Sequence, residues 1–274
     1  YGQEISVGFE GKSFQWKKEC KIPFFGVANY KVFNQQDQRV NIFYVFTSGG
    51  DVFKYLDKAF KKVDVTINPE KLDEYKAVFC KGKLWVFTPS DVDNSFSITH
   101  DSTETVEKIA NSVTSRPILA ANSAGYIFAI GGKSPDAQEC LRDVHVTDIS
   151  KGEITWVKLE LAMPHALYDG FAVQIDAESF YILGGCIVED GEDKPNRATS
   201  ILKFQKHLIL NNCTLNDDYD CPMSPTVVRG REKVDMYAIF NKKLMSYSIG
   251  KSFNLVNWAE VQGSEKASRC TIFQ

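Results

Sequence analysis

The 274-residue chain is 43% hydrophobic, 24% charged and 12% aromatic, a balance that belongs to globular proteins and excludes disordered and fibrous ones. Its 32 Lys and Arg against 35 Asp and Glu leave a formal charge of −3. The cations are scattered in pairs such as Lys17-Lys18 and Lys61-Lys62, so no basic stripe invites nucleic acid. The longest uncharged stretch, residues 117–132, is too short and too rich in Ala, Asn, Ser and Gly to span a bilayer.

Strand signals run from end to end. Residues 39–47 (Arg-Val-Asn-Ile-Phe-Tyr-Val-Phe-Thr), 83–88 (Lys-Leu-Trp-Val-Phe-Thr), 125–130 (Gly-Tyr-Ile-Phe-Ala-Ile), 179–183 (Ser-Phe-Tyr-Ile-Leu) and 234–240 (Val-Asp-Met-Tyr-Ala-Ile-Phe) are short runs rich in β-branched and aromatic residues, each halted by Gly, Pro or Asn. They read as buried strands. The best helical windows, residues 52–60 and 104–110, are short and flanked by strand-like sequence. The runs end at Phe46, Phe87, Ile130, Leu183 and Phe240, separated by roughly 40 to 60 residues, which is the spacing of propeller blades and not of sandwich strands. Three of them close on glycine pairs, Gly49-Gly50, Gly131-Gly132 and Gly184-Gly185, where a strand can break sharply beside its neighbours and leave room for an aromatic from a later strand.

The clearest unit is residues 126–132 (Tyr-Ile-Phe-Ala-Ile-Gly-Gly), then a polar loop, then 143–148 (Asp-Val-His-Val-Thr-Asp), then Trp156 in a fourth strand. A hydrophobic strand ending in Gly-Gly, an alternating third strand and a Trp in the fourth resemble the kelch repeat. Residues 170–205 repeat the first three strands without the Trp, and the units at 83–89 and 234–241 lack the glycine pair. The resemblance implies an all-β, six-bladed kelch-type β-propeller with approximate blades at 26–68, 73–110, 115–161, 168–215 and 224–261. The sixth is assembled from residues 1–23 with 265–274, so that both termini close the ring. Seven blades is the rival count. The chain opens at Tyr1 without an initiator Met, as expected of a processed or partial chain.

Kelch-type topology places the loops between second and third strands, and between fourth and next first strands, on one rim. Phe24, Phe25, Arg116, Arg142, His165, Tyr168, Asp169, Arg197 and Arg229 are expected there as partner-binding residues, a mixture of aromatic and Arg character that suits binding hot spots. The competing reading is that the aromatics pad the core and the arginines solvate loops. Residues 186–200 read as the longest loop, acidic at 189–193, with a second acidic cluster at 217–220; neither has the ligand spacing of a calcium loop. The four histidines, His100, His145, His165 and His207, are not spaced as metal ligands, and no serine elbow, Walker loop or dinucleotide fingerprint occurs. No cofactor or metal is therefore expected.

The expected function is a non-catalytic protein–protein interaction scaffold or adaptor, part of a larger or cytoskeletal assembly. The alternative is a metal-dependent kelch-like enzyme or an extracellular glycan-binding propeller. Seven cysteines, odd in number and without a Cys-x-x-Cys pair, read as cytoplasmic thiols. Asn212-Cys213-Thr214 fits the glycosylation pattern and carries the secreted alternative.

Overall fold

The computed structural model describes residues 4–10, 13–21, 30–34, 42–56, 59–88, 95–99, 106–110, 113–134, 139–176, 179–203, 208–214, 223–229, 234–240, 243–249 and 259–260. A hairpin comes first, β1 (Glu4–Glu10) against β2 (Ser13–Lys21). Four-stranded antiparallel meanders follow. The first is β3 (Tyr30–Asn34), β4 (Phe43–Thr47), β5 (Asp51–Leu56) and β6 (Ala59–Thr66); the second is β7 (Lys76–Cys80), β8 (Lys83–Phe87), β9 (Phe96–Thr99) and β10 (Val106–Lys108). The third is β11 (Ile118–Ala121), β12 (Tyr126–Ile130), β13 (Asp143–Asp148) and β14 (Val157–Ala162). The fourth opens with β15 (Phe171–Gln174) and β16 (Ser179–Leu183), gives out a separate hairpin of β17 (Cys186–Glu189) and β18 (Glu192–Pro195), and resumes with β19 (Ala198–Lys203) and β20 (Leu208–Thr214). The fifth is β21 (Met223–Arg229), β22 (Val234–Phe240), β23 (Lys243–Ile249) and β24 (Ala259–Glu260).

Within the sheets, burial explains the sequence pattern. The second strands β4 and β16 are buried at every residue, and β8 and β12 at all but their first, so both faces of each are covered and they read as unbroken apolar runs. The fourth strands β6 and β14 alternate toward water, with Val157 exposed. The first and third sheets are thus covered on both sides at their second strand and wet at their last.

The chain divides into two compact units. One, Glu74–Pro222 with Gly250–Val256, contains the second, third and fourth sheets, and in it β11 runs beside both β7 and β15. First strands therefore neighbour one another across successive sheets. Ile118, Phe128 and Ile130 of the third sheet meet Phe180, Ile182 and Leu202 of the fourth in one core, with Phe128 and Phe180 tilted at 5.5 Å between ring centroids. On the other side, Trp156 sets its ring edge-on to Phe87 of the second sheet at 5.7 Å. The fourth-strand Trp of the repeat thus joins its sheet to the preceding one. The other unit, Tyr1–Asp73 with Met223–Ile249 and Asn257–Gln274, holds the first and fifth sheets and a core of Phe43, Val45 and Tyr55.

Both of the best helical windows fall in strands, and one expected loop needs correction. Residues 52–56 belong to β5 and 59–60 to β6, because Val52 and Tyr55 are buried in a strand register, with Val52 opposite Phe46 and Tyr55 opposite Phe43. Of residues 104–110, Val106 to Lys108 form β10, a strand edge paired to β9. The expected loop after Gly185 is the β17–β18 hairpin, turned by Asp190 and Gly191, both at positive φ (56° and 79°), the combination a type I′ turn needs. Among the described residues no helix is long and apolar enough to cross a membrane.

Candidate functional site

Six of the nine expected contact residues lie at one end of the third and fourth sheets. Arg116 precedes β11, Arg142 precedes β13, His165, Tyr168 and Asp169 lie between β14 and β15, and Arg197 precedes β19. The backbone there is tightly laced. Gly132 N–H donates to Leu167 O at 2.8 Å, Leu141 N–H to Gly132 O at 2.8 Å, and Leu167 N–H to Leu141 O at 3.2 Å. The glycine pairs make this possible, though not by admitting a ring. A Cβ on Gly131 would collide with the carbonyl oxygen of Leu167, and one on Gly185 with that of Tyr168, while both glycines sit at positive φ.

Arg116 and Asp169 are non-glycine residues at positive φ, 52° and 56°. Such positions cost energy and are held by their surroundings. Asp169 N–H donates to Arg116 O at 3.1 Å, and the Arg116 Nε–H returns to Asp169 Oδ2 at 2.7 Å, with a second guanidinium bond from Nη2 to the same oxygen. Lys76, which opens β7, reaches Asp169 Oδ1 at 2.5 Å. One carboxylate therefore pins the beginnings of three neighbouring first strands. Burial opposes the charge on Asp169, but Lys76 and Arg116 outweigh it and hold its carboxyl below the ordinary carboxylate range.

Tyr168, 1% exposed, carries the second half of the network. The Arg116 guanidinium lies 4.7 Å from its ring centroid and Lys133 Nζ 4.1 Å, an aromatic flanked by two cations. Its hydroxyl donates to the Asp193 carboxylate of β18; burial first, then that anion, push its acidity well out of range. Asp193 is held below the ordinary carboxylate range by this hydrogen bond and by Lys133, 3.6 Å away. Because Tyr168 is buried, its ring positions cations and does not face a partner.

The remaining expected residues divide. Arg142 and His165 are exposed, and Arg142 Nε–H donates to Met163 O at 2.5 Å; Arg197 is half-buried. Arg229 ends β21, paired with Val234 of β22, and belongs to the other unit. Phe24 and Phe25 lie outside the described residues, as do His100, His207, Cys221 and the acidic cluster 217–220. His145 pairs with Ala129 and Lys158 inside the third sheet, its Nδ1 buried, and burial lowers its affinity for a proton. Sequence reasoning missed Lys76, Lys133 and Asp193. The position of Lys133 directly after Gly131-Gly132 was a usable signal, and Asp193 lay in the acidic stretch 189–193; nothing local marked Lys76.

No family model matches the chain, and no curated protein matches it in sequence. Among solved structures, that of YjhT, a kelch-like β-propeller protein, aligns with a TM-score of 0.57 over 92% of this chain and 90% of its own, at 13% identity. The fold is of the β-propeller type. At that identity the likeness is one of fold and carries no activity across. In a propeller, first strands gather toward the axis, in agreement with β7, β11 and β15 lying side by side, and their charged beginnings gather with them.

Proposed function

We propose that this protein is a non-catalytic scaffold of the kelch-propeller kind, six-bladed and closed by both termini, that holds another protein at the end of its sheets where Arg116, Arg142, His165, Asp169 and Arg197 lie. The observation that carries the reading is the strained, cross-linked pair Arg116–Asp169, a rigid platform that leaves Arg142 and His165 exposed beside it. Rigid, Arg-bearing surfaces of this type bind proteins at low ordering cost. A place in the cytosol, in a larger assembly, accompanies the proposal, supported by the free thiols of Cys80, Cys140 and Cys186.

The test is charge reversal at the exposed positions. Replacing Arg142→Glu and His165→Glu together lowers capture of the native partner at least about tenfold, the scale of one hot-spot contact, and leaves the melting temperature near wild type. Undiminished capture rejects this end as the binding face. Stoichiometric copper or iron in the purified native protein would overturn the scaffold reading altogether.

A further inference from the structure

The charge network also specifies what chemistry this end receives, an inference that rests on the scaffold reading. Around it Lys76 and Arg116 pair with Asp169, and Lys133 pairs with Asp193. Asp193 differs from the rest. Its side chain is 55% exposed, whereas that of Lys133 is 12% exposed. Residues 188–193 of the hairpin are all exposed, and β17 and β18 pair with each other. The hairpin is tied down at its base, where Cys186 and Tyr168 exchange backbone hydrogen bonds at 3.0 and 2.8 Å, Asn196 donates to Gly185 O, and Ile187 packs on the core. The Asp193 carboxylate thus reaches, from a projecting arm, a seat built by other elements: Lys133 after β12, 3.6 Å away, and the Tyr168 hydroxyl before β15.

We infer that Asp193 is a built-in occupant of a carboxylate seat formed by Lys133 and the Tyr168 hydroxyl, and that an acidic segment of the partner protein displaces it there. Seat and occupant have unequal standing. The seat is held in place by the Ser115–Lys133 backbone pair, at 2.9 and 2.7 Å, whereas the occupant is a half-exposed carboxylate in a loose ion pair of 3.6 Å, a contact that contributes little to stability and is cheap to exchange. A carboxylate donor is favoured over nucleic acid because the one ring at the seat, Tyr168, is buried beneath its cations and offers no face on which a base could stack.

The experiment is fluorescence anisotropy at low salt with a labelled Gly-Ser peptide bearing several Glu residues, its Gln counterpart, and a single-stranded oligonucleotide of equal charge. Asp193→Asn binds the Glu peptide about fivefold more tightly than wild type, the gain expected when a weak internal competitor is lost. Adding Lys133→Met to Asp193→Asn removes the gain, and the Gln peptide shows none. Equal affinity of wild type and Asp193→Asn, or a gain that survives Lys133→Met, overturns the inference, and so does an oligonucleotide that displaces the Glu peptide at lower concentration. If Arg142→Glu with His165→Glu abolishes partner capture while Asp193→Asn shows no gain, the scaffold reading stands and this inference alone falls.

Discussion

Asp169 satisfies two cations from different strands, and its ionisation is linked to folding. In the unfolded chain its carboxyl titrates near the ordinary Asp value of about 3.9, whereas in the folded protein Lys76 and Arg116 hold it lower. The stabilisation is therefore complete above about pH 4 and is lost as pH falls through the folded value. Asp169→Asn is expected to cost about 2 kcal/mol at pH 7, below the usual cost of breaking a fully buried pair because the Arg116 side chain is 42% exposed. In urea titrations the gap between variant and wild type should narrow as the pH drops below about 4. A gap that persists unchanged at low pH would show that the residue acts through packing. The role of Asp169 was only partly legible in the sequence. It was picked out as a contact residue, but its partners lie 53 and 93 positions away and no spacing rule connects them.

At the scale of elements, the glycine pairs were legible as strand ends, whereas what packs against them was not. Backbone carbonyls, and not an aromatic ring, occupy the space at Gly131 and Gly185, because the connecting segments of adjacent sheets cross there and close their hydrogen bonds on each other. This separates two costs. Gly191 sits at φ 79° in the β17–β18 turn with open space around it, so Gly191→Ala carries the conformational penalty alone, about 1 kcal/mol. Gly185→Ala, at φ 82°, adds a collision with the Tyr168 carbonyl and should cost at least about 2 kcal/mol more, since backbone must move. Equal losses in thermal unfolding would mean that the sheets do not lock here. The same hairpin shows why a loop was expected. Its Asp190-Gly191 signal was present, but Glu189, Glu192 and Asp193 obscure the apolar alternation that normally announces strands, since both faces of its outer half meet water.

At the scale of the molecule, the repeat was readable because the second strands β4, β8, β12 and β16 are buried on both faces, which forces unbroken apolar runs at intervals that chance does not produce. The outer strands were harder to place. Their alternation is short and their contacts are with water, so β10 fell in a window that resembled a short amphipathic helix. The charged end was predictable as a region from strand order, but its inner logic depends on which first strands become neighbours, and that is settled by folding. The central claim is that this end, and no other part of the fold, receives a partner protein. Hydrogen–deuterium exchange of the protein with and without its native partner tests it most directly. Slowed exchange concentrated at residues 139–142, 163–169 and 196–197 is the predicted result; protection confined to the turns at the opposite end of these sheets, such as 149–152, with those segments unchanged, would contradict it.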